Sequence, residues 1–511
     1  MKTLKPIEED TPLSSSGYGL SSQEATSSDK FHDECAVFGI SGHTEAANLT
    51  YLGLYAQQHR GQEGSGIVAS DGRQFHQHKG LGLVADIFSQ PVLKTLAGIR
   101  AIGHNRYSTS GHSILKNVQP LTVNFALGNL ALAHNGNLIN APMLRGELEA
   151  YGAIFQSDSD SEVMIHLIAH SKADTLLNRI IDALSLVRGA FSLVILTDDG
   201  LIAARDPYGF RPLCMGQHKG SWVVSSETCA FDLIGAKFLR EIELGELILF
   251  NNGGVTSYFP FVSKHPAQCI FEYVYFARPD SKIFGANSVY AIRKTFGRQL
   301  AKECPADADM VIPVPDSGVP AALGFAEGMG IPFEIGLTRN HYVGRTFIEP
   351  EQAIRHFGVK LKLNAITEIL EGKRVVVVDD SLVRGTTSRK IVKMIRHAGA
   401  REVHMRISSP PTMAPCFYGI DTPTKKELIG SHLTVEEIRH YLTADSLGYL
   451  SLEGMLAMAP NRSDSYCHAC FTEQYPISLT RAEQLQLGLF DAAKPSCHST
   501  LVAEKKIAVV E

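Results

Sequence analysis

The clearest pattern of apolar and polar positions runs over residues 374–399, where four valines follow Arg374 and lead into Asp379-Asp380-Ser-Leu-Val-Arg-Gly-Thr-Thr-Ser388. An unbroken apolar run bounded by charge predicts a central strand buried on both faces, as a parallel sheet requires. Ile391, Val392, Met394 and Ile395 then recur at helical spacing, with Thr387 or Ser388 placed to cap the start and Gly399 to stop the helix. Strand, tight loop and helix N-terminus meet at one point, where the amides of residues 384–387 can converge on a phosphate. Asp379 and Asp380 would repel that phosphate, yet they can accept hydrogen bonds from vicinal hydroxyls or face a divalent cation. A sugar phosphate satisfies both halves. An ATPase metal-binding strand shows a similar apolar run ending in Asp, but no G-x-x-x-x-G-K-[ST] occurs in the chain.

Upstream, residues 1–34 are rich in Ser and charge without periodicity, which predicts disorder. The pattern then changes abruptly. Cys35-Ala-Val-Phe-Gly-Ile40 predicts a short strand, residues 45–58 an amphipathic helix, and Arg60-Gly-Gln-Glu-Gly-Ser-Gly66 a glycine-rich turn. Two further apolar runs end in polar motifs: 99–102 before Gly103-His-Asn-Arg-Tyr-Ser-Thr109, and 130–133 before His134-Asn-Gly-Asn137. Taken singly, each polar residue has a plain structural role. Cys35 suits a small buried hydrophobe, Asn135-Gly136 a hairpin turn, and Asp160 an N-cap for the apolar helix 163–168. A side-chain amide beside a glycine amide also makes a two-donor oxyanion hole.

The second half opens near Cys269 and continues with a helix over 289–302, a strand over 309–314, the turn Pro315-Asp-Ser-Gly318 and a helix through Phe325. Strands alternating with helices predict a parallel sheet whose ligands bind beyond the carboxyl ends of its strands. Both 315–318 and 379–387 fall at such ends.

Length and composition add bounds. A chain of 511 residues exceeds one ordinary core, so at least two domains are expected, and 44% hydrophobic with 20% charged residues describes a globular protein. A net charge of -5 gives no reason to expect nucleic acid as a partner. No apolar run approaches a membrane span and the N-terminus lacks the core of a secretory signal, so a cytoplasmic protein without membrane partners is expected. Nine cysteines, an odd number at low density, indicate reduced thiols, some of them reactive or metal-bound.

The 374–388 stretch resembles the phosphoribosyl diphosphate (PRPP) signature of type I phosphoribosyltransferases. That resemblance makes Asp379, Asp380, Ser381, Arg384, Gly385, Thr386 and Thr387, with Asp316 and Ser317, the PRPP contacts, the acids holding the ribose hydroxyls and the loop the 5-phosphate. It implies one Mg²⁺ per subunit on Ser317, Asp379 and Asp380, reached directly or through sugar hydroxyls. Residues 339–347 resemble the loop that closes over PRPP and keeps water from the sugar. The motifs C-A-V-F-G-I, R-G-Q-E-G-S-G-I, G-H-N-R-Y-S-T, H-N-G-N, S-D-S-E and R-D-P-Y-G-F-R-P-L resemble the glutaminase domain of the N-terminal-nucleophile (Ntn) amidotransferases. Alternation over 191–196, the turn Asp199-Gly200 and a strand over 201–204 fit the strand-rich sandwich of that family. Cys35 becomes the nucleophile, with Asn135 and Gly136 as the oxyanion hole and Arg106 and Asp160 as the pair that reads glutamine. Such a nucleophile must be the first residue of the mature chain, so 1–34 is expected to be a propeptide.

The two halves together are similar to the amidophosphoribosyltransferase family. The implied architecture is a four-layer αββα Ntn sandwich over 35–265, a parallel-sheet phosphoribosyltransferase domain over 266–471 and a loose tail over 472–511. The implied reaction moves the amide nitrogen of glutamine to PRPP, through an apolar passage between the sites. Purine nucleotides are implied inhibitors, and a homotetramer the implied assembly. The alternative is a non-catalytic sensor of PRPP or purine nucleotides that keeps the fold, against which the intact acids and nucleophile argue. Cys467-His-Ala-Cys470 is a spacing shared by zinc and iron-sulfur sites. The resemblance extends the set to Cys269 and Cys416, since one branch of the family carries a 4Fe-4S cluster, one per subunit, on four matching cysteines; structural zinc is the alternative. Cys214, Cys229, Cys304 and Cys497 have no partner pattern and read as structural.

Overall fold

The computed structural model describes residues 35–107, 114–262, 264–285, 288–340 and 363–479. The predicted propeptide, most of the predicted closing loop, Cys497 and the last part of the predicted tail lie outside these residues.

Thirteen strands build the first half: β1 (Ala36–Ser41), β2 (Gly64–Ser70), β3 (Phe75–Leu81), β4 (Arg100–Arg106), β5 (Leu121–Phe125), β6 (Gly128–Leu138), β7 (Gly189–Thr197), β8 (Gly200–Arg205), β9 (Cys214–His218), β10 (Ser221–Ser225), β11 (Lys237–Glu241), β12 (Leu247–Asn251) and β13 (Gly254–Tyr258). They form two antiparallel sheets, ordered β11-β9-β10-β1-β4-β2-β3 and β13-β12-β8-β7-β6-β5. The sheets face each other across Val37, Val68 and Ile102 on one side and Ala131, Ala133, Val194 and Leu201 on the other. Helix Ala46–Ala56 covers the outer face of the first sheet, and helices Ala141–Ala150, Asp160–His170 and Leu176–Leu186 cover the second. The order is helix, sheet, sheet, helix. β1 and β7 are buried along their whole lengths, because each is a middle strand of a sheet covered on both sides.

The second half is organised on a four-stranded parallel sheet of β15 (Met310–Pro313), β18 (Arg374–Asp379), β19 (Glu402–Ile407) and β20 (Ser446–Tyr449), in that order. The valine run of β18 divides by parity, as a period of two requires. Val376 and Val378 pack toward helices Val289–Glu303 and Val319–Met329, while Val375 and Val377 pack toward helices Thr386–His397 and Val435–Leu442. Each fully buried valine stabilises the sheet by about 1.5 kcal/mol or more relative to exposure. Between β15 and β18 the short strands β16 (Leu337–Arg339) and β17 (Leu363–Ala365) pair antiparallel. Two others, β14 (Gln268–Cys269) and β21 (Tyr466–Cys467), pair in parallel and tie the start of this half to its end.

Local expectations needed four corrections. Asn135 and Gly136 are not in a hairpin turn but within β6, opposite Ser192 and Phe191. Asp160 is the first helical residue, and the cap is Ser159, whose hydroxyl accepts from the Ser161 amide. The helix after β18 starts at Thr386, one position after Gly385, which is left-handed at φ 78° and ends the loop where a side chain at Thr387 or Ser388 was expected to cap. The chain also stays packed through Leu479. Ile477 is buried, its amide meets the Tyr418 hydroxyl at 3.1 Å, and Ser478 accepts from Arg188 at 2.8 Å. Among the described residues no helix is long and apolar enough to cross a membrane.

Candidate active sites

Cys35 immediately precedes β1, which lies between β10 and β4 in the first sheet. Its thiol is buried and donates to the Tyr107 carbonyl at 3.4 Å, just beyond the end of β4. Burial pushes the thiol up to about 11, against the Tyr107 contact and the Arg106 charge, with Asp160 and Glu63 adding to the rise. Arg106 ends β4 and meets Glu63 at 3.7 Å. Asp160 sits at the head of its helix, where one carboxylate oxygen accepts from the Leu138 amide at 3.0 Å and the other from the Ser161 hydroxyl at 3.2 Å. All three charges lie close enough to act on the thiol.

Asn135 and Gly136 come from the opposite sheet. Gly136 has φ 151°, and a Cβ there would stand 2.1 Å from the Ala190 carbonyl oxygen, so the position excludes a side chain. The Asn135 amide is fully buried; its nitrogen reaches the Ser226 hydroxyl at 3.5 Å, while its oxygen has no partner among the described residues. Ser226 also accepts from the Val37 amide at 3.0 Å, which ties the strand after Cys35 to the Asn135 side chain. The predicted set Cys35, Arg106, Asn135, Gly136 and Asp160 therefore converges on one side of the sandwich.

The second site lies at the carboxyl ends of β15 and β18. Asp379 and Asp380 are 1% exposed, and an Asp379 oxygen accepts from the Asp380 amide at 2.9 Å. The Asp380 carboxylate accepts from Ser381 at 2.5 Å and from the Ser317 hydroxyl, so the two strand ends are joined through this acid. Asp316, exposed beside the cis peptide Pro315–Asp316, pairs with Arg339. Arg384 meets Glu427 at 2.9 Å, and Gly385 turns the chain so that helix Thr386–His397 presents its N-terminus to the loop. Every predicted PRPP contact thus falls on one rim.

The four cysteines Cys269, Cys416, Cys467 and Cys470 also gather. Cys269 and Cys467 are paired residues of β14 and β21. The Tyr418 amide donates to the Cys416 sulfur at 3.3 Å, and the Cys470 carbonyl accepts from Met413 at 2.8 Å. Burial first, then the charges of Cys269, Cys467 and Cys416, push the Cys470 thiol far above its ordinary value. Burial likewise holds Cys467 up at about 12. Among the described residues no three Cys, His, Asp or Glu side chains are disposed as ligands of a single ion. Cys214 and Cys229 are buried free thiols and Cys304 is half-buried.

Residues 104–232 match the model of a glutamine amidotransferase domain and residues 286–408 that of a phosphoribosyl transferase domain. The chain is 54% identical to a chloroplastic amidophosphoribosyltransferase of Vigna aconitifolia over 88% of its own length and 92% of the relative. It is 51% identical to the amidophosphoribosyltransferase of Bacillus subtilis over 88% and 95% of the two chains. The chain belongs to the amidophosphoribosyltransferase family. A solved glutamine PRPP amidotransferase from B. subtilis, complexed with ADP and GMP, superposes at a TM-score of 0.84 with 50% identity, covering 88% of this chain and 98% of that one.

Within that family frame, the structure adds residues that the sequence did not single out. Ser226 stands beside the strand that Cys35 precedes although it comes from a separate segment, and Glu63, within the glycine-rich 60–66 motif, lies close enough to act on the Cys35 thiol. A turn from the far half also reaches the oxyanion strand. The Tyr418 carbonyl accepts from Arg211 at 2.9 and 2.8 Å, the Phe417 carbonyl from Asn137 at 3.0 Å, and a Cβ on Gly419 would lie 2.9 Å from the Gly136 carbonyl carbon. This turn begins at Cys416, so the cysteine set and the end of β6 at Gly136 share a wall. No short-range motif signals such a contact.

Proposed function

We infer that the chain moves the amide nitrogen of glutamine to PRPP, forming 5-phosphoribosylamine, glutamate and pyrophosphate, the first committed step of purine synthesis. One observation carries the reading: a buried thiol facing an oxyanion pair, and an acid pair beside a helix N-terminus, are held in one chain whose second half touches the oxyanion strand. A thiol near 11 is protonated at neutral pH, so attack needs a base. A free α-amino group titrates at about 7.7 to 8.0 and supplies it, whereas an amide nitrogen bonded to Glu34 cannot. We therefore propose that residues 1–34 are removed before the enzyme acts. The α-amine takes the thiol proton, sulfur attacks the carboxamide carbon, and the oxyanion rests between the Asn135 amide and the Gly136 N–H. Collapse returns the proton to the departing ammonia, and water then releases glutamate from the thioester. Arg106 suits the α-carboxylate of glutamine and Asp160 its α-ammonium.

At the second site ammonia displaces pyrophosphate from the ribose. Asp379 and Asp380 would hold the ribose hydroxyls and the loop 381–387 the 5-phosphate. Asp380, the shared acceptor of Ser317 and Ser381, provides an oxygen-rich corner suited to Mg²⁺, which on Ser317, Asp379 and Asp380 would neutralise the leaving pyrophosphate. Purine nucleoside monophosphates carry the same ribose phosphate, so we propose that they compete for this cradle; the B. subtilis neighbour was solved with ADP and GMP.

The pairing of β14 with β21 and the turn at Cys416 draw four thiols together, and we propose that they would hold a 4Fe-4S cluster, one thiolate per iron, with structural zinc as the alternative. Thiols forced upward by burial and by one another lose their protons only to a compensating cationic centre. We further propose a cytoplasmic homo-oligomer, to be read by cell fractionation and light scattering.

Cys35→Ala separates the two reactions. Glutamine-dependent synthesis should fall by about 10⁴-fold or more while synthesis from ammonium salts stays at the wild-type rate, because the thiol serves only nitrogen release. Equal loss of both in folded protein would overturn the assignment.

A further inference from the structure

Arg60, in the single turn Gln58–Arg60 before β2, is fully buried and is engaged from three directions. Its Nε donates to the Cys35 carbonyl at 3.1 Å. Nη1 donates to Glu227 at 2.6 Å and to Glu272 at 2.9 Å, and Nη2 donates to Glu272 at 2.7 Å. Glu227 follows β10 in the same half, whereas Glu272 comes from the other half, just beyond Cys269. Both carboxylates are fully buried. Glu227 is held in turn by the Arg278 amide at 2.9 Å and the Ser281 hydroxyl at 2.6 Å, and Arg211 approaches Glu272 at 3.6 Å. Two carboxylates and two guanidinium groups, with the His59 imidazole 2.8 Å from Glu227, therefore form a cluster across the domain boundary, with the nucleophile's own carbonyl as one of its acceptors.

A guanidinium is a planar fork whose donors are fixed relative to one another. Three acceptors therefore define both its position and its plane, and through Nε they define where the Cys35 carbonyl points. Through the ψ angle of residue 35, that carbonyl fixes how the α-nitrogen and the thiol arm, which turn together about the Cα–C bond, are presented to the oxyanion donors. The segment bearing Glu272 is itself anchored. Arg293, buried in helix Val289–Glu303, donates to the carbonyls of Tyr273 at 2.7 Å and Ala277 at 2.9 Å.

We propose that Glu272 is a positioning residue for amide cleavage: it fixes Arg60 and thereby the backbone of Cys35, so that the glutaminase site is completed by a carboxylate from the transferase half. The inference rests on the two-site reading above, and wild-type protein assayed alongside tests that reading separately through glutamine hydrolysis and ammonia-dependent synthesis.

Two full-length variants test it. Glu272→Gln keeps the volume but removes the charge; Arg60→Lys keeps the charge among the carboxylates but loses the Nε donor and the fork. Each should lower kcat for glutamine hydrolysis by about 10²-fold, the scale of a small misplacement of reacting groups, with KM for glutamine within about twofold. Ammonia-dependent synthesis should stay at the wild-type rate. Should Glu272→Gln fail to fold, Arg60→Lys decides alone. A folded variant with wild-type hydrolysis overturns the proposal, as does a rise in KM at unchanged kcat or a parallel fall of hydrolysis and ammonia-dependent synthesis.

Discussion

Desolvation decides the resting state of Cys35. Because the folded thiol is raised to about 11, its thiolate fraction between pH 7 and 9 is smaller than that of a free cysteine. Alkylation follows the thiolate, so in the chain still carrying residues 1–34 iodoacetamide labelling of Cys35, read by peptide mass, should rise about tenfold per pH unit across that range. A plateau by pH 8 would show a stabilised thiolate instead. If Asn135 is one of the two proposed oxyanion donors, Asn135→Ala should cost about 10²- to 10³-fold in kcat for hydrolysis; a change confined to KM would place the amide on glutamine rather than on the oxyanion. Cys35, Asn135, Gly136, Arg106 and Asp160 were legible in sequence because each sits in a motif of chemically distinctive residues. Ser226 and Glu272 were not, since their roles depend on contacts that no local pattern marks. They act through partners far away in sequence, Ser226 on Val37 and Asn135, Glu272 on Arg60.

At the scale of elements, β18, its loop and the following helix form the unit whose sequence most fully determines its structure. Four valines can be buried together only in a strand covered on both faces, and Gly385 permits the left-handed turn that ends the loop. Asn135-Gly136 misleads by the same kind of reasoning. Its turn chemistry is overridden because β7 pairs with β6 as far as Leu138, setting Asn135 opposite Ser192 and Gly136 opposite Phe191, and the glycine is needed for the close approach of Ala190. Replacing the acids of β18 tests the function of the unit. Asp379→Asn with Asp380→Asn preserves shape but weakens both the hydroxyl acceptors and the metal corner. Glutamine-dependent and ammonia-dependent synthesis should fall together, in contrast to Cys35→Ala. Retained ammonia-dependent turnover would move PRPP binding elsewhere on the sheet.

Across the whole molecule, the halves are joined by the buried Arg60–Glu272 cluster, by the 416–419 turn against Gly136, and by packing of 475–479 beside it. A loose tail from residue 472 was inferred from the fading of apolar periodicity, but Tyr475 and Ile477 are held by contacts to Pro415, Phe417 and Tyr418 that make no periodic pattern. The same turn carries Cys416, so the cysteine set bears on both halves. Protein purified without oxygen should contain about four iron and four sulfide per chain, as a cubane requires, and should lose its colour in air. Colourless protein with one zinc per chain would favour the other metal. The central claim is that one chain cuts nitrogen from glutamine and joins it to the ribose of PRPP. Protein given glutamine labelled with ¹⁵N at the amide, together with PRPP and Mg²⁺, should yield 5-phosphoribosylamine carrying the label, with glutamate and pyrophosphate released in equal amounts. Glutamate formed without pyrophosphate, all of the label remaining as free ammonia, would contradict it.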